Sequence, residues 1–167
     1  MDSARPARPD GDGGDDIEAV TTALLAASRL LVAISARSLG QADAGVTLPQ
    51  FRMLVSLSLQ GPMKLATLAD VLGVNPSTAL RMAERLSLAN LLTRETNPNN
   101  RREIILELAP AGHRIVSEVT ARRHEEIGRV VARLAPEQRT ALISSLDAFV
   151  EADDELPATV TQPIFFT

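Results

Sequence analysis

Residues 65–108 read LATLADVLGVNPSTALRMAERLSLANLLTRETNPNNRREIILEL, and their local chemistry divides them into four consecutive elements. Leu65, Leu68, Ala69 and Leu72 recur at helical spacing and predict a short helix stopped at Gly73, although Lys64 is not a capping residue. Val74 fills a turn. Asn75-Pro76 then marks a second helix start, with Asn as cap and Pro at the first helical position, where its missing N–H is no loss. Ala79, Met82, Ala83 and Leu86 predict the packed side of this helix, while Ser77, Leu80, Arg81, Glu84 and Arg85 fall on the opposite side. Two strand-like runs follow, 92–96 and 101–108, separated by Asn97-Pro98-Asn99-Asn100, which is turn chemistry. Ile104, Leu106 and Leu108 share one face of the second strand.

Helix, tight turn, longer helix and basic hairpin, in that order with almost no linker, is the layout of a winged helix-turn-helix. Such a head places its second helix in a DNA major groove. The outer face of that helix has suitable residues. Asn75, Ser77 and Thr78 cluster where free backbone N–H groups favour phosphate. Arg81 and Arg85 can each pair with guanine O6 and N7, and Leu80 can touch a thymine methyl. Asn99, Asn100, Arg101 and Arg102 put a polar tip and two cations on the hairpin, a composition suited to the electronegative minor groove. Adjacent strand residues face opposite ways, so Arg101 is the better candidate of the two arginines. A solvated helix face and a solvated turn are the plainer alternatives, and it is the conjunction of the elements that favours DNA.

On the N-terminal side, residues 1–15 are rich in Asp, Gly and Pro and predict a disordered acidic tail. From Asp16, Ile17, Val20, Leu24, Ala27, Leu31 and Ile34 predict a helix with one buried face, ending at Leu39-Gly40 with a left-handed glycine. Thr47-Leu48-Pro49-Gln50 predicts another helix start with a capping box, and Phe51, Leu54, Val55 and Leu59 its buried side. On the C-terminal side, Pro110 and Pro136 open two further helices. Ile115, Val119, Ile127, Val130, Val131 and Leu134 mark the first; Leu142, Leu146, Phe149 and Val150 mark the second, which Pro157 should stop. The order is α-α-α-α-β-β-α-α, mainly α. The division is an acidic tail (1–15), a dimerisation helix (16–46), the winged head (47–109), dimerisation helices (110–156) and a C-terminal tail (157–167). The terminal Ile164-Phe165-Phe166 holds two of the four Phe; a disordered terminus is the ordinary reading, and packing on the dimerisation helices or on a second subunit is the alternative for so apolar a run.

Composition supports this division. With 167 residues, 45% hydrophobic and only 2% aromatic, the core must be aliphatic, which suits packed helices. There is no Cys, so thiolate metal sites, cysteine nucleophiles and thiol redox sensing are excluded. The net charge of −4 argues against a nucleic-acid partner until its distribution is read. Residues 1–18 carry −4 and residues 151–155 another −4, so residues 19–150 carry +4. Local sign governs a groove-binding surface. No apolar run reaching the ~20 residues of a membrane span is evident, and the N-terminus lacks a basic-then-apolar leader, so a cytoplasmic protein without membrane association is expected. His113 and His124 lie eleven apart on one helix face; a metal site with Glu125 or a partner chain is conceivable, but a solvated pair is the favoured reading. No His-Glu-x-x-His, phosphate loop or nucleophile elbow is present, and neither enzymatic activity nor a cofactor is expected.

The run LATLADVLGVNPSTALRMAERLSLANLLTRETNPNNRREIILELAPAG (residues 65–112) resembles the MarR family of bacterial transcriptional regulators, and the similarity extends over roughly residues 17–152. The resemblance implies a homodimer whose first, fifth and sixth helices intertwine. It also implies two heads on successive major grooves of a palindromic operator, half-sites about 10 bp apart, and usually repression. Many such proteins respond to small phenolic or anionic ligands held between the dimer layer and the heads. The groove-reading positions correspond to Ser77, Thr78, Leu80, Arg81 and Arg85, and the wing-tip Arg to Arg101. Departures are informative. Asn100 stands where the family usually has an Asp that braces the wing, so the wing is looser or braced differently. Leu80 stands where a polar residue is common. Asn90 replaces a helix-stopping Gly, and Ala109 replaces a Thr cap. With no Trp or Tyr, an effector pocket would be aliphatic, with Phe51 and an Arg. The alternative is a winged-helix protein-interaction module that has lost specific DNA binding.

Overall fold

The computed structural model describes residues 13–42, 45–97 and 100–152. The expectations for the N-terminal twelve residues, Asn99, the Pro157 stop and the terminal Ile-Phe-Phe lie outside these residues. The elements are α1 (Gly13–Gly40), α2 (Leu48–Gln60), β1 (Met63–Lys64), α3 (Leu65–Leu72), α4 (Pro76–Leu88), β2 (Leu92–Asn97), β3 (Asn100–Leu108), α5 (Pro110–Val131) and α6 (Pro136–Glu151). Six helices and the hairpin follow the expected order. The addition is β1, two residues that pair with β3 and complete an antiparallel sheet ordered β1-β3-β2. Met63-Lys64 is too short to carry a period, so no alternation announced it.

The core lies beneath the sheet and between α2, α3, α4 and α5. Leu54, Leu68, Ala79, Ala83, Leu106, Val116 and Val119 are fully buried there. Phe51 and Leu54 are buried as expected, but so are Met53 and Leu57. Helix α2 touches α1, α3, α4, α5 and β3, so it buries more than one stripe, and a one-sided pattern underestimates it.

Helix boundaries follow local chemistry. At the start of α2, Gln50 Oε1 accepts from Thr47 N–H (2.9 Å) and from Thr47 Oγ1 (3.0 Å), which supplies the capping-box half that protects the cap's own N–H. Helix α3 ends in a Schellman turn: Gly73 has φ 67°, its N–H donates to Asp70 O, and Val74 N–H donates to Ala69 O. Helix α4 ends the same way on Asn90, the non-glycine residue with positive φ (56°) among the described residues. Leu91 N–H donates to Leu86 O and Asn90 N–H to Ser87 O. Gly40, by contrast, does not adopt a left-handed conformation, and α1 runs into a turn at Gln41-Ala42 instead.

Helix α1 departs furthest from expectation. It begins at Gly13, ahead of Asp16, with Asp15 and Asp16 in its first turn, where the helix dipole favours negative charge. Of its expected buried face, Ile34 is buried, whereas Ile17, Val20 and Leu31 are exposed. Leu142, Leu146 and Phe149 of α6 are exposed too, and α6 has no buried residue. Contrary to the sequence expectation, Gly14–Gly40 is by length and composition apolar enough to cross a membrane. Alanines, serines and threonines between its aliphatic residues leave long intervals without charge. Arg29 lies midway along it, where a bilayer would penalise a cation.

Two further features set the geometry of the head on α5. An added Cβ at Gly112 would sit 2.1 Å from Leu91 O and 2.8 Å from Leu108 Cδ1, so α5 approaches the base of the hairpin more closely than any other residue type allows. Ala109 N–H donates to that same Leu91 O (3.1 Å). At the far end, Arg139 donates to Leu134 O (3.0 Å) and Ala132 O (3.1 Å) in the turn that follows α5, holding the α5–α6 corner.

Candidate nucleic-acid interface

The expected reading face is assembled on α4. Asn75 Oδ1 accepts from Thr78 N–H (2.8 Å) and from Ser77 Oγ (2.8 Å), which fixes the first turn of the helix. Ala79, Ala83 and Leu86 bind the inner side to the core. Four-residue spacing therefore forces Ser77, Arg81, Glu84 and Arg85 outward, and all four are exposed, while Thr78 and Leu80 are half-buried at the margin. Arg81 Nε donates to Ser77 O (3.3 Å), so its side chain lies back along the helix toward the capped end. Thr78, Arg81, Met82 and Arg85 line a shallow cleft of about 230 Å³. Two guanidinium groups and a hydroxyl on a convex rigid helix can take phosphates or purine edges.

The hairpin beside α4 is placed by its sheet register. Leu92 pairs with Leu108, Arg94 with Leu106, and Thr96 with Ile104, with an irregularity between Thr96 and Asn97. Leu106 and Leu108 are buried and Ile104 packs against the same core, as the alternation predicts. Asn100 begins β3 and is exposed; Arg101 and Arg102 follow it in the strand backbone, and their side chains lie outside the described residues.

Four charged residues at the base of the wing were not assigned roles by the sequence reading. Arg94 Nη1 of β2 lies 3.6 Å from Glu84 Oε1 of α4, and Lys64 Nζ lies 3.0 Å from Glu103 Oε2 of β3. Lys64–Glu103 joins β1 to β3 across the sheet, and Glu84–Arg94 joins α4 to β2 across the short connection between them. In the helical layer, Glu126 of α5 receives Arg37 Nη2 (3.0 Å) and Ser38 Oγ (3.4 Å) from α1. His113 and His124 are exposed on α5, and among the described residues no three His, Asp or Glu side chains gather into a metal-binding group.

A second concavity, of about 360 Å³, lies between α1, α2, α3 and α5. Its wall combines aliphatic side chains and Phe51 with Ser35, Ser56, Gln60, Arg52 and Arg123, so it holds the expected Phe51 and Arg but is more polar than the aliphatic pocket expected. The Nε of Arg123 is buried there without a hydrogen-bond partner.

Residues 46–104, spanning α2 to the β3 strand, match the sequence profile of the MarR family. The transcriptional repressor MdtR of Bacillus subtilis is 33% identical over 114 residues, covering 66% of this chain and 74% of that protein. The chain belongs to the MarR family. Solved structures agree: RV1404 from Mycobacterium tuberculosis is 47% identical, with a TM-score of 0.76 over 90% of this chain and all of that one. BpsR of Bordetella bronchiseptica, whose DNA binding is regulated by 6-hydroxynicotinic acid, is 26% identical, with a TM-score of 0.60 over 78% of this chain and 98% of that one. MarR-family proteins are DNA-binding transcriptional regulators without enzymatic activity. The family match covers the head, including α4 and the hairpin through Ile104.

Proposed function

We propose that this MarR-family protein is a cytoplasmic homodimer that binds a palindromic operator and represses its own or neighbouring genes. The observation that carries this reading is the outer face of α4: Ser77, Arg81 and Arg85 are held outward by a helix whose other side is locked into the core. In the proposed complex, Arg81 and Arg85 read bases in the major groove. Leu80 lies against a thymine methyl, Asn75, Ser77 and Thr78 hold phosphate, and Asn99, Asn100, Arg101 and Arg102 enter the adjacent minor groove. Dimerisation is supported by the apolar side chains that α1 and α6 leave exposed, among them Ile17, Val20, Leu142, Ile143, Leu146 and Phe149. A patch of this kind on a chain with an otherwise closed core fits a second subunit.

An effector site in the 360 Å³ cavity belongs to the same reading. Its size falls in the range of small-ligand pockets, and the buried, unpartnered Arg123 Nε together with Arg52 suits an anionic group. It touches α1 and α5 on one side and α2 and α3 on the other, so a ligand there would bear on the head's orientation. The regulation of BpsR by 6-hydroxynicotinic acid supports effector control by analogy.

The test is a gel-shift titration on the duplex upstream of the protein's own gene, repeated at several salt concentrations. A specific complex whose affinity falls steeply with salt is the expected result. No complex with this or a non-specific duplex at low salt would overturn the reading.

A further inference from the structure

Among the outward residues of α4 stands one carboxylate. Glu84 follows Arg81 by three residues and precedes Arg85. A free carboxylate there would face the DNA polyanion and repel it. Glu84 is not free: its Oε1 lies 3.6 Å from Arg94 Nη1, with the two side chains 47% and 29% exposed. Arg94 is placed for this contact by the sheet. Its Cα partner is Leu106, and directly paired residues project from the same face. Leu106 is fully buried, so Arg94 leaves the hairpin on the side that faces the core and α4. Its charged end reaches Glu84. The opposite edge of β3 is held by Lys64–Glu103 at the start of α3.

From this juxtaposition we infer that Glu84 is a positioning residue for DNA binding. Its ion pair with Arg94 sets the angle between α4 and the hairpin, so that helix and wing engage neighbouring grooves together. The same contact neutralises the carboxylate that α4 would otherwise present to phosphate. The inference rests on the DNA-binding reading above, but the strut itself exists in the free protein and can be examined there. The rival role for Glu84 is base reading, by accepting a bond from cytosine N4.

The experiment uses the full chain as wild type, E84Q, R94Q, E84Q/R94Q and the reversed pair E84R/R94E. Amide hydrogen exchange of the free proteins reports order in residues 92–108, and fluorescence anisotropy reports binding to the specific duplex and to an unrelated one. The expected result is faster exchange at the hairpin in E84Q and R94Q with an unchanged melting temperature, and recovery in E84R/R94E. E84Q should bind the specific duplex roughly three- to fivefold more weakly although it has lost a negative charge. E84Q/R94Q should be no weaker in hairpin protection than either single variant, because the two residues act as one contact. Tighter or unchanged binding by E84Q, or unaltered exchange at the hairpin, overturns the inference. A changed base preference with an undisturbed hairpin overturns it in favour of base reading. Failure of the wild type to bind any duplex removes the DNA-binding reading alone, since the exchange measurement still decides whether the strut exists.

Discussion

In the head, from α2 to β3, large apolar side chains close on one another within one chain: Leu54, Leu68 and Leu106 are 0% exposed. In the arms, α1 and α6, side chains of the same chemistry are left in water, with Ile17 69% and Ile143 63% exposed. Both regions are helices with apolar residues at helical spacing, so sequence pattern alone does not separate them. What separates them is that a sheet and three crossing helices cover the one surface, whereas no described residue covers the exposed apolar side chains of the other. A helix whose apolar side has no partner in its own chain is stabilised only when a partner arrives. The head is accordingly expected to have a stability of its own, and the arms one that depends on concentration.

Identical kinds of substitution in the two regions should therefore behave differently. Leu54→Ala opens a cavity in a closed core and should cost about 3 kcal/mol in urea unfolding, by the same amount at every protein concentration. A cost that vanished on dilution would show that the head also depends on a second copy. Gly112→Ala, at the joint between head and arm, should cost about 2 kcal/mol, because the new methyl meets Leu91 O. Hydrogen exchange should then accelerate first where α5 meets the hairpin. Phe149→Ser removes one apolar contact from the arm and should raise the dimer dissociation constant roughly tenfold, about 1.4 kcal/mol, by sedimentation. If it did not, the exposed face of α6 would not be the interface. Ala109→Ser should add about 0.5–1 kcal/mol of stability, because α5 begins on a residue with no side-chain cap and a serine hydroxyl can accept from the free N–H groups there. No gain would mean that the buried site around Ala109 cannot accommodate the hydroxyl.

The legible parts of the sequence were those governed by adjacent residues. Asn75-Pro76, Gly73 and Asn90 name the ends of α3 and α4 because caps and left-handed stops are local chemistry. The outward face of α4 was readable for the same reason: once Ala79, Ala83 and Leu86 are inside, Ser77, Arg81 and Arg85 are outside. The hairpin was readable from the alternation of Ile104, Leu106 and Leu108. What could not be read depends on juxtaposition. Strand β1 exists only because β3 passes beside Met63-Lys64. The Lys64–Glu103 pair needs the register of the sheet, and the Glu84–Arg94 pair needs the packing of α4 on β2. Helix α1 is legible only in part. Its spacing announces an apolar face, but spacing does not say whether the covering surface belongs to the same chain.

In the proposed complex, α4 reads DNA through its outward arginines. Anisotropy titrations of Arg81→Ala on an operator duplex and on an unrelated duplex address it. The expected result is a loss of about 1–3 kcal/mol on the operator and a much smaller one on the unrelated duplex. Arg101→Ala, by comparison, should weaken both alike. Equal losses for Arg81→Ala on the two duplexes would contradict base reading by α4 and leave it only a phosphate contact.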